Sequence, residues 1–172
     1  VYNLKMLSKE QEEWINHLSD KDTIKIVPFD PRSQEEFERI KNLIQTKIGP
    51  EVRVEHCGAS SLGISGQNEI DVYVPVPADA FENFILKLTS IFGEPHRVYP
   101  RERARFNAPE KWMRIDIHLV NEEHQKWKEA KIFENYLKSY PEVLERYRIL
   151  KEEGNGFTIR EYYRRKVEFI NE

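Results

Sequence analysis

Cysteine is nearly missing from this sequence: Cys57 is the only one among 172 residues. That excludes an internal disulfide and any metal site built from several cysteines. A single thiol beside a glycine in a strand-like stretch reads as a small buried apolar side chain, since reactivity needs exposure and a lowered pKa. Long apolar runs are missing too. No stretch approaches the ~18 apolar residues of a membrane span, so no membrane partner is expected. The opening Val1 to Leu7 is too short, and too soon followed by charge, to read as a signal peptide, and a cytoplasmic location is the expectation. Nor is there an excess of either charge: 27 Lys and Arg stand against 30 Asp and Glu, a net charge of -3. Bulk attraction to long nucleic acid or to an anionic membrane is thereby disfavoured, leaving room for a local basic patch. No Gly-Lys-Ser/Thr run exists, which excludes a P-loop. Internal repeats and low-complexity tracts are absent as well.

What remains is 39% hydrophobic and 33% charged, the balance of a soluble globular chain with a highly charged surface. The length suits one domain, 1–172. Ser8 and Gln11 have the spacing of a capping box for a helix reaching about Leu18. Thr23 to Phe29 is strand-like, with Pro28 placing it at an edge or an end. Ser33 and Glu36 read as a second capping box, opening a helix with Phe37, Ile40, Leu43, Ile44 and Ile48 on one stripe and closed by Gly49-Pro50. Strands are expected at Val52–Cys57, Glu69–Val76 and Trp112–Val120, and a helix capped by Asp79 carries Phe81, Phe84, Ile85, Leu88 and Phe92. The arginine-rich stretch with Arg97, Arg101, Arg103 and Arg105 lacks regular periodicity. From Glu122 onward the pattern is helical, broken near Pro141 and at Gly154-Asn155-Gly156. Mixed elements over 1–121 followed by helices over 122–172 predict an α+β fold, a mixed sheet packed by helices with a helical C-terminal part.

The chemistry concentrates between His56 and Val74. Glu69 and Asp71 lie two residues apart, so an extended backbone aims both at one face while Ile70, Val72 and Val74 face a core. Asp116 sits on a later alternating strand, with Arg114 and His118 on its side, and meets the first pair if the two strands are neighbours. Three converging carboxylates repel one another unless protons or divalent cations intervene. Mg²⁺, with Mn²⁺ as a substitute, suits such a set because it binds a few carboxylates together with phosphate oxygens. A pair of ions could clamp an attacking hydroxyl and a leaving pyrophosphate. The loop from Gly58 to Gly66 offers backbone N–H groups and the hydroxyls of Ser60, Ser61 and Ser65 to phosphate. The alternative is a solvated sheet face behind an ordinary turn. His118 could ligate a metal or orient Asp116, but a hydrogen-bonded structural role is favoured for it and for His56, and Tyr73 reads as either a stacking or a packing ring. Tyr147 with Lys151 and Tyr162 with Lys166 share helix faces, so both lysines are candidates for a triphosphate.

These residues carry a resemblance. A Gly-Ser type turn, an acid–hydrophobic–acid strand and a third acid on a later strand resemble the nucleotidyltransferase superfamily, with its DNA polymerase beta-like fold. Within it the chain is similar to the GrpB-like family, which also occurs fused to dephospho-CoA kinase. The similarity runs through Val27-Pro28-Phe29-Asp30-Pro31, Glu55-His56-Cys57-Gly58-Ala59-Ser60-Ser61, Glu69-Ile70-Asp71, Ile117-His118-Leu119-Val120, Phe133 to Pro141, Tyr147 to Lys151 and Tyr162 to Ile170. The resemblance implies Gly58 and Ser60, with Ser61 beside them, at a triphosphate, and Glu69, Asp71 and Asp116 as catalytic metal ligands. Ala59 departs from the Gly-Ser pair, which leaves the hydroxyl to Ser60. Gln67 and Asn68 stand where a basic residue and a glycine are expected, which shifts phosphate binding towards an arginine. The implied activity is metal-dependent transfer of a nucleotidyl group from an NTP to an unknown acceptor hydroxyl. A non-catalytic domain binding a nucleotide or a CoA-related ligand is the alternative, and an interaction module with a solvated acidic face is a third.

Overall fold

The computed structural model describes residues 6–109 and 112–172; of the opening segment read against a signal peptide, 1–5 lie outside that range. The chain divides into two compact units.

The larger unit comprises 29–64 and 68–136. Five strands pair here: β1 (Glu55–Cys57), β2 (Glu69–Val76), β3 (Arg97–Tyr99), β4 (Arg103–Asn107) and β5 (Arg114–Asn121). Their order across the sheet is β1-β2-β5-β4-β3. β2 and β5 run parallel and the other pairs antiparallel. The sheet is therefore mixed, as expected, and the parallel pair needs a crossover. That crossover contains α4 (Phe81–Phe92), which packs with α2 (Ser33–Ile48) on one face of the sheet. Period-two alternation gives this face Ile70, Val72 and Val74 from β2, Ile115, Ile117 and Leu119 from β5, and Ala104 and Phe106 from β4. Phe37, Ile40, Ile44, Phe81 and Leu88 close over them, completing the core.

The smaller unit comprises 6–28, 65–67 and 137–172. It holds α1 (Lys9–Asn16), α6 (Pro141–Glu153) and α7 (Ile159–Asn171). Ser8 and Gln11 form the expected capping box. Tyr147 stacks on Phe169 with centroids 5.4 Å apart, and Arg164 forks onto Glu12 at 3.0 and 3.1 Å. The remaining long helix, α5 (Gln125–Ser139), begins in the larger unit and ends in the smaller.

Four local expectations are corrected. Thr23 to Phe29 is not a strand: it makes only isolated bridges, Thr23 to Thr158 and Val27 to Gly66, while Ile26 N–H donates to the Asn155 side chain. Pro28 has no N–H to extend a ladder. Ser33 does not cap α2, because Asp30 turns the chain first; its Oδ1 accepts from Arg32 N–H at 2.9 Å and its carbonyl from Ser33 N–H at 3.0 Å. Arg32 becomes the cap residue, and the buried Ser33 hydroxyl has no hydrogen-bond partner among the described residues. Asp79 does not cap α4 either, since Ala78–Ala80 closes a 3₁₀ turn through Ala80 N–H to Pro77 O. The arginine-rich stretch forms β3 and β4, a hairpin in which Val98, Ala104 and Phe106 alternate with the polar residues, but over strands only three and five residues long.

Candidate functional site

Residues directly opposite in adjacent strands share a face. Asp71 is opposite Asp116, Tyr73 opposite His118, and Glu69 opposite Arg114; on the far side of β5, Asn107 is opposite Asp116 and Arg105 opposite His118. Cys57 and Glu55 of β1 complete these rows opposite Asp71 and Tyr73. The second face of the sheet is thus polar across four strands.

Its centre is a group of three. Oxygens of Asp71 and Asp116 and a ring nitrogen of His118 lie within 4.8 Å of one another. His118 Nε2 is 3.1 Å from Asp71 Oδ1, and its ring stacks on Tyr73, which stacks in turn on Trp127. The stack packs Tyr73 between the two rings and orients the imidazole plane. Asp116 is the buried member, its side chain 4% exposed against 23% for Asp71. It accepts from Arg105 Nη2 at 2.8 Å and from Asn107 Nδ2 at 3.3 Å, and Arg114 Nε is 3.2 Å away. A buried carboxylate demands such compensation. Glu69 pairs with Arg114 Nη2 and does not join the group of three.

The turn after β1 packs against this centre. Gly58 has φ +77°, and a Cβ built on it would overlap Asp71 Oδ2. Only glycine permits both the left-handed backbone and the close approach. Gly58 opens the single-turn α3 (Gly58–Ser61). Ser61 Oγ donates back to Gly58 O at 2.8 Å, while Ser60 Oγ is 2.9 Å from His56 Nε2. With His56 Nδ1 facing the side-chain Oε1 of Gln34 at 3.3 Å, the Nε2 side is the one that accepts from Ser60.

Beside Tyr73, Lys131 Nζ donates to Glu55 Oε2 at 2.7 Å, and Arg53 Nη2 donates to Glu55 Oε1 at 2.7 Å. Burial pushes the Glu55 carboxyl up, but these two cations outweigh it and hold it below the usual range. Burial pushes the Cys57 thiol well up, reinforced by the charge of Glu134, which is the inert setting expected for it.

Lys151 and Lys166 belong to the smaller unit. Lys151 is buried and donates from Nζ to the Tyr162 hydroxyl at 3.1 Å; Lys166 lies over the Tyr163 ring. Ser65 is in that unit as well, donating to Glu152 at 2.7 Å. Sequence reasoning placed Arg114 beside Asp116 without giving it a role, missed Asn107, and favoured a structural role over metal ligation for His118. The alternation that put Arg114, Asp116 and His118 on one face was the available signal. Asn107 had none, because the β4 pairing that brings it to Asp116 is not local.

A five-stranded mixed sheet with helices on its apolar face and a carboxylate–imidazole group on the other defines an α+β protein with a polar site on its second sheet face. The chain belongs to the GrpB protein family, whose model matches residues 23–172. The crystal structure of conserved protein GrpB from Enterococcus faecalis is similar in fold, with TM-score 0.61 and 20% identity over 74% of this chain and 81% of that one. Weaker likenesses are to a Cid1 poly(U) polymerase with Mg and 3′-dATP bound (TM-score 0.45, 16% identity, 78% of this chain and 42% of that one). A cytoplasmic RNA terminal U-transferase follows (TM-score 0.40, 16% identity, 79% and 43%). No curated protein matches the sequence. Among the described residues, no helix is long and apolar enough to cross a membrane.

Proposed function

We propose that this protein transfers a nucleotidyl group from an NTP to an acceptor hydroxyl with the help of a divalent cation. The observation that carries this reading is the convergence of Asp71, Asp116 and His118 within 4.8 Å on one sheet face, with the Gly58 turn packed on Asp71. The donor set fits a cation: two carboxylates and an imidazole converge, and Asn107 Oδ1 beside them is a buried acceptor without a hydrogen-bond partner among the described residues. Asp71, Asp116 and His118 would hold the ion, and Glu69 joins a metal set only by giving up Arg114. Oxygen ligands suit Mg²⁺, and the imidazole extends the choice to Mn²⁺. When bound, such an ion supplies charge neutralisation for phosphate oxygens.

In the reaction, the acceptor oxygen bonds to the α-phosphorus, the bond to the pyrophosphate oxygen breaks, and the acceptor proton leaves towards Asp116. Gly58, Ser60 and Ser61 orient the phosphates from their side of Asp71. Lys151 and Lys166 stay phosphate-ligand candidates on the sequence alone, and Lys151 would have to leave Tyr162 to serve as one. A second reading has support in one observation: Arg105 and Arg114 already compensate Asp116. A non-catalytic domain that binds a nucleotide or a CoA-related ligand needs no metal there.

Calorimetric titration with the four NTPs, with and without Mg²⁺ or Mn²⁺, separates the two. Metal-dependent binding abolished in Asp71→Ala is the expected result. Binding that needs no metal and survives Asp71→Ala gives the second reading instead.

A further inference from the structure

The hairpin of β3 and β4 extends the polar face in a direction the acids do not use. Arg97 is opposite Arg105, which is opposite His118; Tyr99 is opposite Arg103, which is opposite Val120. At about 4.8 Å per strand, Arg97 lies two strands, about 10 Å, from His118. Arg97 Nη1 donates to the Tyr99 hydroxyl at 3.4 Å, and the Arg103 guanidinium lies 4.7 Å over the Tyr99 ring. Tyr99 therefore holds two exposed guanidiniums apart yet close. Among the described residues Arg97 forms no ion pair, and Arg103 meets only Glu102, at 3.7 Å, an acid also approached by Lys126 at 3.5 Å. The hydrogen bond from Arg97, aided by Arg103, outweighs burial and lowers the Tyr99 hydroxyl below its usual range, as expected in a positive local field. A chain of net charge -3 thus carries a positive patch next to its carboxylates.

The order β1-β2-β5-β4-β3 gives this patch a direction. The Gly58 turn follows β1, the carboxylates stand on β2 and β5, and the arginines stand on β4 and β3. In an in-line displacement at phosphorus the entering oxygen and the leaving group occupy opposite sides. With the donor's phosphates at the Gly58 turn, the acceptor enters from the arginine side. We infer that the acceptor bears a phosphate, gripped by Arg97 and Arg103 around Tyr99; as an acceptor subsite this rests on the transfer reading above. Guanidinium forks match phosphate oxygens in charge and geometry.

The test titrates adenosine 5′-monophosphate and adenosine into the wild-type chain and into an Arg97→Ala, Arg103→Ala double variant, with thermal melts confirming the fold. The expected result is about tenfold weaker monophosphate binding in the double variant, no change for adenosine, and partial recovery in Arg97→Lys, Arg103→Lys. Metal-dependent ATP affinity stays the same in the double variant. A trinucleotide titrated alongside separates a free phosphomonoester from a strand end by which of the two binds more tightly through these arginines. Monophosphate binding that is absent, or unaffected by the double variant, overturns the inference. ATP affinity falling in step with monophosphate affinity overturns the acceptor assignment, because the arginines then serve the donor. Absence of metal-dependent ATP binding in the wild type removes the transfer reading alone, while arginine-dependent monophosphate binding keeps the anion subsite.

Discussion

The two faces of the one sheet are made of the same backbone and obey opposite chemistry. On the apolar face, Ile70, Val72, Val74, Ile115, Ile117, Leu119 and Phe106 are almost wholly removed from water beneath α2 and α4. On the polar face, Asp71, Asp116, His118, Arg105 and Arg114 hold one another by ion pairs and hydrogen bonds, with Trp127 the main apolar cover. Burial of the first face drives folding, at about 25 cal/mol per Å² of apolar surface. The second face adds little stability, because its charges are partly desolvated and its pairs mostly offset that cost. A sheet can carry such a face only because the other one is closed.

Breaking the apolar face should have the largest effect. Phe106→Ala should lower stability by about 3–5 kcal/mol in urea denaturation, because the ring is fully buried. A loss below about 1 kcal/mol would mean that the apolar face does not dominate folding. Next in size is Gly58→Ala on the polar face. The left-handed φ alone costs about 1–2 kcal/mol, and the added methyl must displace the Asp71 carboxylate. Metal-dependent ligand binding should disappear in that variant although its melt remains cooperative; undiminished binding would detach the turn from the site.

The smallest effect is expected from Glu55→Gln. The Glu55 carboxyl titrates below its unfolded value because Lys131 and Arg53 together outweigh burial. Its contribution is therefore present above the ordinary glutamate range near 4.5 and is lost as pH falls through the lower folded-state value. Melts at neutral pH should place the variant at most about 1 kcal/mol below the wild type, with the gap closing as pH falls below that range. A gap that widens in acid would contradict the sign.

Legibility differed between the faces for a physical reason. Alternation alone located β2, most of β5 and the sides on which their apolar and charged residues fall, since period two is a local property. It put Asp71 and Asp116 on polar sides, and it put His118 beside them. Local signals misjudged Ser33 and Asp79 as caps, where the turns at Asp30 and Pro77 take over the helix starts. They were silent on β3 and β4, whose alternation of arginines with Val98, Ala104 and Phe106 runs over only three and five residues. Gln67 and Asn68 announced a weak phosphate cradle, and the arginines that stand near the acids lie far along the chain from them.

By itself, the sequence determined which residues alternate, the absence of a cysteine framework or a P-loop, the mixed α+β character, and the sides of β2 and β5 that carry acids. Only the tertiary structure decided that β2 and β5 are parallel neighbours in the register that sets Asp71 opposite Asp116. It also decided that Glu69 is taken by Arg114 while His118 joins the two aspartates. Strand order and register depend on contacts between residues distant in sequence, and a shift of one residue would have turned every one of these side chains to the other face.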